Sequence, residues 1–252
     1  MAKPTVTIVG TGSTGNFAEV NGDILIDLGV QRSRVLAFDN GSITGPDMLR
    51  HVSAALITHE HTDHANPSTV KLLYELRPDL FKRQLFMTDG TYRQLCGANS
   101  GLHSIMRHEF PTDHIITDGA TLDLRTRGGI YHVETFSVPH GSVECLGFVI
   151  TTPGGESIFW ATDAEIVPKF EGHTFDVICC EGNWDEFELE EALKHPDTVG
   201  HAQSSLRHMS VQDFDRFVRQ HATPTTSVIQ LHMSSAFGTY SHLNNVYTSP
   251  NY

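Results

Sequence analysis

No stretch of the chain approaches the run of roughly 18 apolar residues that spans a bilayer, which excludes a helical membrane span. Cysteine is scarce, with four residues, Cys96, Cys145, Cys179 and Cys180. No pair has the C-x-x-C spacing of a zinc knuckle or redox motif, so free thiols in a reducing compartment are expected. Cys179 and Cys180 stand side by side in the apolar run from Val177 and should point to opposite faces of a strand. No Pro/Gly/Ser-rich linker and no internal repeat divides the sequence, so one domain over residues 1–252 is expected. The start, Met1 to Thr5, lacks the charged, apolar and cleavable regions of a secretory signal. A cytoplasmic protein, of a bacterium or of a phage-infected host, is therefore expected. Positive charge is in short supply, with 17 Lys and Arg against 30 Asp and Glu and a formal net charge of −13. Basic residues such as Arg32, Arg34, Lys82 and Arg83 are scattered, without the stripe that tracks a long nucleic-acid backbone. The acidity argues against a broad duplex groove but not against a phosphate substrate, because bound cations invert the local field.

Short apolar, β-rich runs recur along the chain. They are Thr5 to Val9, Phe17 to Val20, Asp23 to Leu28, Ala54 to Thr58, Thr135 to Val138, Gly147 to Ile150, Ser157 to Trp160, Phe175 to Cys180 and Ser227 to Leu231. Asn21-Gly22, between the second and third, predicts a tight hairpin. Helices look fewer. Asn66-Pro67 reads as an N-cap with proline in the first turn, ahead of Val70, Leu72, Leu73 and Leu76. Ser210 to Asp213 fits a capping box ahead of Phe214, Phe217 and Val218. Glu188 to Lys194 is a third candidate. Together these predict an α/β fold of sheets covered by helices. The stretch from Gly238 to Tyr252 is polar, rich in Tyr and Asn, and carries no element signal.

Gly10 to Gly15 matches G-x-G-x-x-G after a strand, the pattern of a dinucleotide-binding turn. That fingerprint must open a helix in a βαβ unit, and here it runs into Asn16-Phe17 and a hairpin. A glycine-rich turn between strands is the expectation, one that could border a site and offer backbone N–H groups or Ser13 to a phosphate.

Histidine is abundant, with sixteen residues. The informative segment is His59-Glu60-His61-Thr62-Asp63-His64, directly after Ala54-Ala55-Leu56-Ile57-Thr58. Four ligand-type side chains follow a buried strand within six residues, and imidazoles with carboxylates suit zinc, manganese or iron. This segment resembles the signature of the metallo-β-lactamase-fold hydrolase superfamily, and the resemblance extends in order along the whole chain. It implies a four-layer αβ/βα sandwich with metals held by loops at one edge of the two sheets. Three further residues stand where that pattern places ligands: His140 after Phe136 to Pro139, Asp163 after Ile158 to Thr162, and His232 after Val228 to Leu231. The resemblance implies His59, His61 and His140 on one divalent ion, Asp63, His64 and His232 on the other, and Asp163 between them. Two ions, Zn2+ or Mn2+, would then activate a water for hydrolysis, with Asp63 orienting it.

Arg207-His208-Met209-Ser210 is similar to the His-Leu-Ser motif of the nuclease and phosphodiesterase branches, where a histidine that is not a ligand faces the scissile phosphate. His201 is a rival without a matching motif. Gly12 to Asn16, Ile26 to Gly29 and Glu181-Gly182-Asn183 resemble small bacterial DNA 5′-exonuclease-like proteins. Phage cyclic-nucleotide phosphodiesterases of the superfamily also fit the length. Ser13 and Asn183 are the expected substrate contacts. Gly141 and Trp184 depart from the exonuclease-like branch, which often has an acidic residue and a histidine there. The function these resemblances imply is two-metal hydrolysis of a phosphodiester in a cyclic or short nucleotide or a nucleic-acid end. The expected partner is that substrate, with no membrane and with a homodimer admitted. A thioester hydrolase of the glyoxalase II type uses the same ligand types, but lacks a reason for His208. A non-catalytic metal-binding scaffold would usually have lost ligands. Weaker still are a β-lactamase, a flavodiiron oxidoreductase, which would have glutamate for His61, and a transfer-RNA 3′-processing endonuclease, which would have a glycine/proline-rich arm.

Overall fold

A computed structural model describes residues 3–98, 101–234, 241, 243 and 246–248. Among the described residues, nine of the twelve strands come from apolar runs bounded by turns. The first sheet has the order β1 (Val6–Gly10), β2 (Phe17–Val20), β3 (Ile24–Ile26), β4 (Ala54–Leu56), β5 (Leu85–Phe86). The second sheet contains β6 (Thr121–Arg125), β7 (Ile130–Val138), β8 (Cys145–Thr151), β9 (Ser157–Ala161), β10 (Phe175–Glu181), β11 (Ala222–Leu231) and β12 (Val246–Thr248). Its strands lie in sequence order from β6 at one edge to β12 at the other. The hairpin at Asn21-Gly22 forms as expected, with φ of 53° and 71° at the two residues and β2 antiparallel to β3. Both positive angles match the twist that a two-residue turn needs.

Alternation along the strands builds three apolar layers. Ile24, Ile26, Ala54 and Leu56 meet Phe148, Ile158, Trp160 and Cys179 between the sheets. Leu25, Ala55 and Ile57 point the other way, toward α1 (Arg32–Ala37), α2 (Gly45–His51), α3 (Pro67–Leu76), α4 (Pro78–Arg83), α5 (Asp89–Gly97) and α6 (Leu102–Glu109). On the far side Phe159, Ile178 and Cys180 pack under Phe214, Phe217 and Val218. These three belong to α9 (Val211–His221), which follows α7 (Glu186–Leu193) and α8 (Val199–Ser205). The result is helices, sheet, sheet, helices: the expected four-layer α/β sandwich. Cys179 and Cys180 do face opposite layers.

Capping follows the sequence closely where it was legible. Asn66 accepts from the Ser68 N–H at the start of α3, and Ser210 accepts from the Asp213 N–H at the start of α9. The third expected helix begins two residues earlier, at Glu186, because Asp185 caps it through the N–H groups of Phe187 and Glu188. The expectation of few helices is corrected by α1, α2, α4, α5, α6 and α8, none longer than nine residues. Part of the stretch after Gly238 forms β12, parallel to β11, and apart from Ser241 and Leu243 the rest of it lies outside the described residues. His201 falls in α8, and its side chain lies outside the description. Among the described residues no helix is long and apolar enough to cross a membrane.

The topology fixes where chemistry can occur. β8 is antiparallel to both β7 and β9, and β9, β10 and β11 are parallel, so β7, β9, β10 and β11 run the same way. Their C-terminal ends share one edge with the ends of the parallel pair β3 and β4. The Leu146 N–H donates to the Thr58 carbonyl at 3.1 Å and ties the two sheets there. The carboxyl ends of parallel strands are the usual place for ligands in α/β proteins.

Candidate metal centre

Every expected ligand stands at one of those strand ends. The loop after β4 carries His59, His61, Asp63 and His64; His140 follows β7, Asp163 follows β9 and His232 follows β11. The structure brings all seven together in two clusters. His59, His61 and His140 form one, and Asp63, His64, Asp163 and His232 form the other, with the donor atoms of each within 4.8 Å of one another. In the first, His61 Nδ1 lies 3.0 Å from His59 Nε2 and 3.2 Å from His140 Nε2. In the second, His232 Nε2 lies 3.1 Å from Asp163 Oδ1 and 3.9 Å from Asp63 Oδ2. Asp163 Oδ2 is in contact with His64 Nε2 and 3.5 Å from His59 Nε2, so this carboxylate touches both clusters.

The donor set fits divalent cations. Three imidazole nitrogens converging on one point have more lone pairs than protons to share, and a cation of the zinc type satisfies them all. Asp163 Oδ2 and His232 Nε2 are buried against other donor atoms of the centre without a well-formed hydrogen bond, a cost that a shared cation would remove. The charges point the same way. Burial pulls His59 well below its ordinary value, with His64 adding to the effect. Burial also opposes charge on His64, yet Asp163 and Asp27 hold it up at about 10. Asp163 stays well below the carboxylate range despite its burial, because His232 and His64 face it. Protons thus sit on His64 and His232 where a metal would displace them.

Surrounding residues hold these rings, and sequence reasoning gave several of them no role. Asp27 accepts from the Thr58 N–H and hydroxyl, both at 2.9 Å, and from His64 Nδ1 at 2.7 Å. That fixes the His64 tautomer and turns Nε2 toward the centre, against Asp163 and 2.7 Å from the Asn16 amide nitrogen. Asn16 accepts from the Gly12 N–H at 2.8 Å and donates to the carbonyl of Asp63 at 3.2 Å. It thereby ties the glycine turn between β1 and β2 to the ligand loop. The turn is no dinucleotide site, because β2 follows it where a helix would be required. Ser13 is exposed on that turn, and Thr11 beside it accepts from the His232 N–H at 2.8 Å. Among the described residues, three of the four non-glycine residues with positive φ lie here: Asp27 at 61°, Asp163 at 50° and His232 at 51°. Such strain concentrates at functional sites.

Glu181, at the end of β10, is fully buried. Its Oε1 lies 2.7 Å from His208 Nδ1 and 3.2 Å from His232 Nδ1, and its Oε2 accepts from the Ala164 N–H at 2.6 Å. Asp163, Glu181, His208 and His232 also lie close enough for a third cation cluster. Hydrogen bonding already accounts for both Glu181 oxygens, so we assign it none. His208 has its ring stacked on His232, with centroids 5.0 Å apart, and its Nδ1 is 3.2 Å from Asp163 Oδ1. Burial disfavours its charge, but Glu181 and Asp163 push it up to about 9. The Trp184 indole N–H donates to the His208 carbonyl at 2.8 Å, which fixes the loop. Asn183, expected as a substrate contact, stands beside His232. It is 5% exposed, and its amide donates to the His232 carbonyl at 2.5 Å, so it positions that ring.

Close packing behind the ligand loop gives a first test. A Cβ on Gly29 would fall 1.6 Å from the Asp63 carbonyl oxygen and 2.5 Å from the His64 nitrogen. Gly29→Ala should therefore displace the ligand loop, destabilise the fold by about 1–3 kcal/mol or more, and weaken metal binding. Thermal unfolding and metal content measure both. Gly200→Ala, in the open space of α8, is the control, and should be neutral or slightly stabilising. Unaltered melting and metal content in Gly29→Ala would show that the two loops do not abut.

Comparison with known proteins agrees with this picture. No curated protein matches the chain. Three solved structures superpose along nearly its whole length, each at 14% identity and a TM-score of 0.59. They are the metallo-β-lactamase fold protein YhfI from Bacillus subtilis, covering 94% of this chain and 89% of that one, the short form of human tRNase Z, covering 98% and 96%, and a possible metal-dependent hydrolase from Veillonella parvula, covering 99% and 98%. At that identity they show the fold. The model of the β-lactamase superfamily domain matches residues 23–232, from the hairpin to the last candidate ligand. With the layered sheets and the clustered histidines and aspartates at their shared edge, that match establishes that the chain belongs to the β-lactamase superfamily domain family, whose fold is that of metal-dependent hydrolases.

Proposed function

We propose that this hydrolase cleaves phosphodiester bonds of a nucleotide substrate with two divalent ions, Zn2+ or Mn2+. The observation that carries the reading is His208, held by Glu181 beside the centre without belonging to either metal cluster. His59, His61 and His140 would hold one ion, Asp63, His64 and His232 the other, with Asp163 shared. Divalent ions held there would supply positive charge for the phosphoryl oxygens and would acidify an attacking water. Asp63, the most open carboxylate of the set, with 27% of its side chain exposed, can accept a hydrogen bond from that water and orient it. His208 has Nδ1 engaged by Glu181, which leaves Nε2 to carry a proton toward the leaving oxygen. Loss of an alkoxide from phosphorus is where such a proton counts most. Ser13, exposed on the turn bound to Asp63 and His232, would contact the substrate.

The test joins metal analysis with turnover. Purified protein should carry close to two divalent ions per chain and hydrolyse bis-p-nitrophenyl phosphate. Chelation should abolish that activity and zinc or manganese restore it. Full activity with one tightly bound ion would reject the binuclear centre. A metal-loaded protein that hydrolyses thioesters but no diester would overturn the phosphodiesterase reading.

A further inference from the structure

The wall of the site beside His61 is built by α5 and α6. A hollow of about 570 Å³ at the centre is lined by Glu60, His61, Thr62, Gly90, Arg93 and Gln94. A second, of about 860 Å³, is lined by Tyr92, Arg93, His103, Arg107 and His108 among others. Arg93 belongs to both, so the two adjoin and lead away from the metal cluster. Both are within the size range of small-ligand sites.

Their charge is unlike that of the rest of the molecule. Residues 90–108 contain Arg93, Arg107, His103 and His108 and no aspartate or glutamate, in a chain with 30 acidic residues among 252. Arg93, His103, Arg107 and His108 are all exposed. Three acids border the track, and one of them, Glu109 at the end of α6, is paired with Lys82. Asp89 pairs with Arg93 at 2.6 Å, but the pair is open to solvent and one helical turn apart, so it is weak and exchangeable. Glu60 turns toward the first turn of α5, where its Oε2 would lie 2.1 Å from a Cβ on Gly90, and the helix N-terminus offsets its charge. Gln94 adds an Oε1 that is buried without a hydrogen-bond partner. Tyr92 offers a ring beside the cations.

We propose that this basic track on α5 and α6 binds the flanking phosphates of a linear, single-stranded nucleotide chain whose scissile diester lies at the metal centre. The proposal rests on the phosphodiesterase reading and narrows its substrate to an oligonucleotide end. A 3′,5′-cyclic mononucleotide has no further phosphate to reach Arg107. Stacking on Tyr92 and a hydrogen bond to Gln94 suit unpaired bases. Elsewhere the acidic surface would repel a longer backbone or a duplex, which keeps the contact to a few nucleotides.

Two measurements on the metal-loaded protein test it. In the first, anisotropy of fluorescent hexathymidylate reads binding to wild type and to the double variant Arg93→Ala/Arg107→Ala. Removing two phosphate contacts should weaken binding about tenfold or more and lower the slope of log affinity against log salt by about 1.4, at about 0.7 per phosphate. Equal binding and equal slopes would overturn the track whether or not the protein hydrolyses diesters. In the second, kcat/KM is compared between hexathymidylate and bis-p-nitrophenyl phosphate. The double variant should lose at least tenfold more on the oligonucleotide than on the small diester, mostly through KM. Equal losses on the two would overturn the proposal while leaving the phosphodiesterase reading in place. Failure of wild type to cleave any diester, with oligonucleotide binding retained, would instead remove that reading.

Discussion

Asp163→Ala should lose at least one metal ion and nearly all hydrolysis, because its carboxylate is the ligand-type group that both halves of the centre share. Its carboxylate reaches His59 and His64 through Oδ2 and His232 and His208 through Oδ1. Altering a residue that merely supports a ligand typically costs 10–100-fold in metal affinity or activity, so loss of a shared carboxylate should exceed about 100-fold. Metal content after dialysis and diester hydrolysis at saturating metal measure the two effects separately. The backbone complicates alanine, since Asp163 has a φ of 50°. Aspartate and asparagine tolerate that region better than other residues with a Cβ. Asp163→Asn therefore removes the charge while keeping shape and backbone preference. It should lose metal as Asp163→Ala does, but with a far-UV spectrum and melting closer to metal-free wild type. A variant that retains both ions and normal turnover would show that Asp163 is no ligand.

The same carboxylate shows how much of the centre could be read without the fold. His59 to His64 is legible because four ligand types crowd into one loop after a buried strand, and proximity in sequence there is proximity in space. His140, Asp163 and His232 are single residues separated by tens of positions. Only the rule that ligands stand at strand ends, supplied by the resemblance, selects them. Asp27 and Glu181 escape that rule as far as their roles go. Each ends an apolar run, as ligands do, but each acts by holding imidazoles that come from other strands. A buried carboxylate at a strand end is a signal that could have found them. Most strands are legible as apolar runs, whereas most helices are not. α1 buries only Val35, and α4 only Leu80 and Phe81. Two turns with one or two core contacts leave too little periodicity to read. The basic track has the same origin, since Arg93 and Arg107 meet only when the unread helices α5 and α6 pack together through Leu95, Leu102 and Met106.

His208→Ala should retain both metals yet lose on the order of 10²–10⁴-fold in rate on an alkyl phosphodiester. Retention is expected because His208 stands outside both metal clusters. Its removal also leaves Glu181 bonded to His232 and to the Ala164 N–H, so His232 keeps its orientation. The rate loss follows from the leaving group. An alkoxide is a strong base, and breaking its bond to phosphorus without a proton is costly, each tenfold corresponding to about 1.4 kcal/mol of barrier. With Nδ1 held by Glu181 and the carboxylates of Glu181 and Asp163 favouring the charged ring, His208 would deliver that proton in the proposed reaction. A p-nitrophenolate is already a weak base and leaves unaided, so the loss should shrink on p-nitrophenyl diesters. A thiolate needs the proton little for the same reason, which is why the comparison also separates a phosphodiesterase from a thioester hydrolase on an identical metal centre. Rates of wild type and His208→Ala on a methyl and a p-nitrophenyl diester of the same nucleotide, with metal content measured in parallel, give the result. Equal losses on both would mean that His208 holds the site together and transfers no proton. No loss on either would remove it from the mechanism and return the thioesterase to contention.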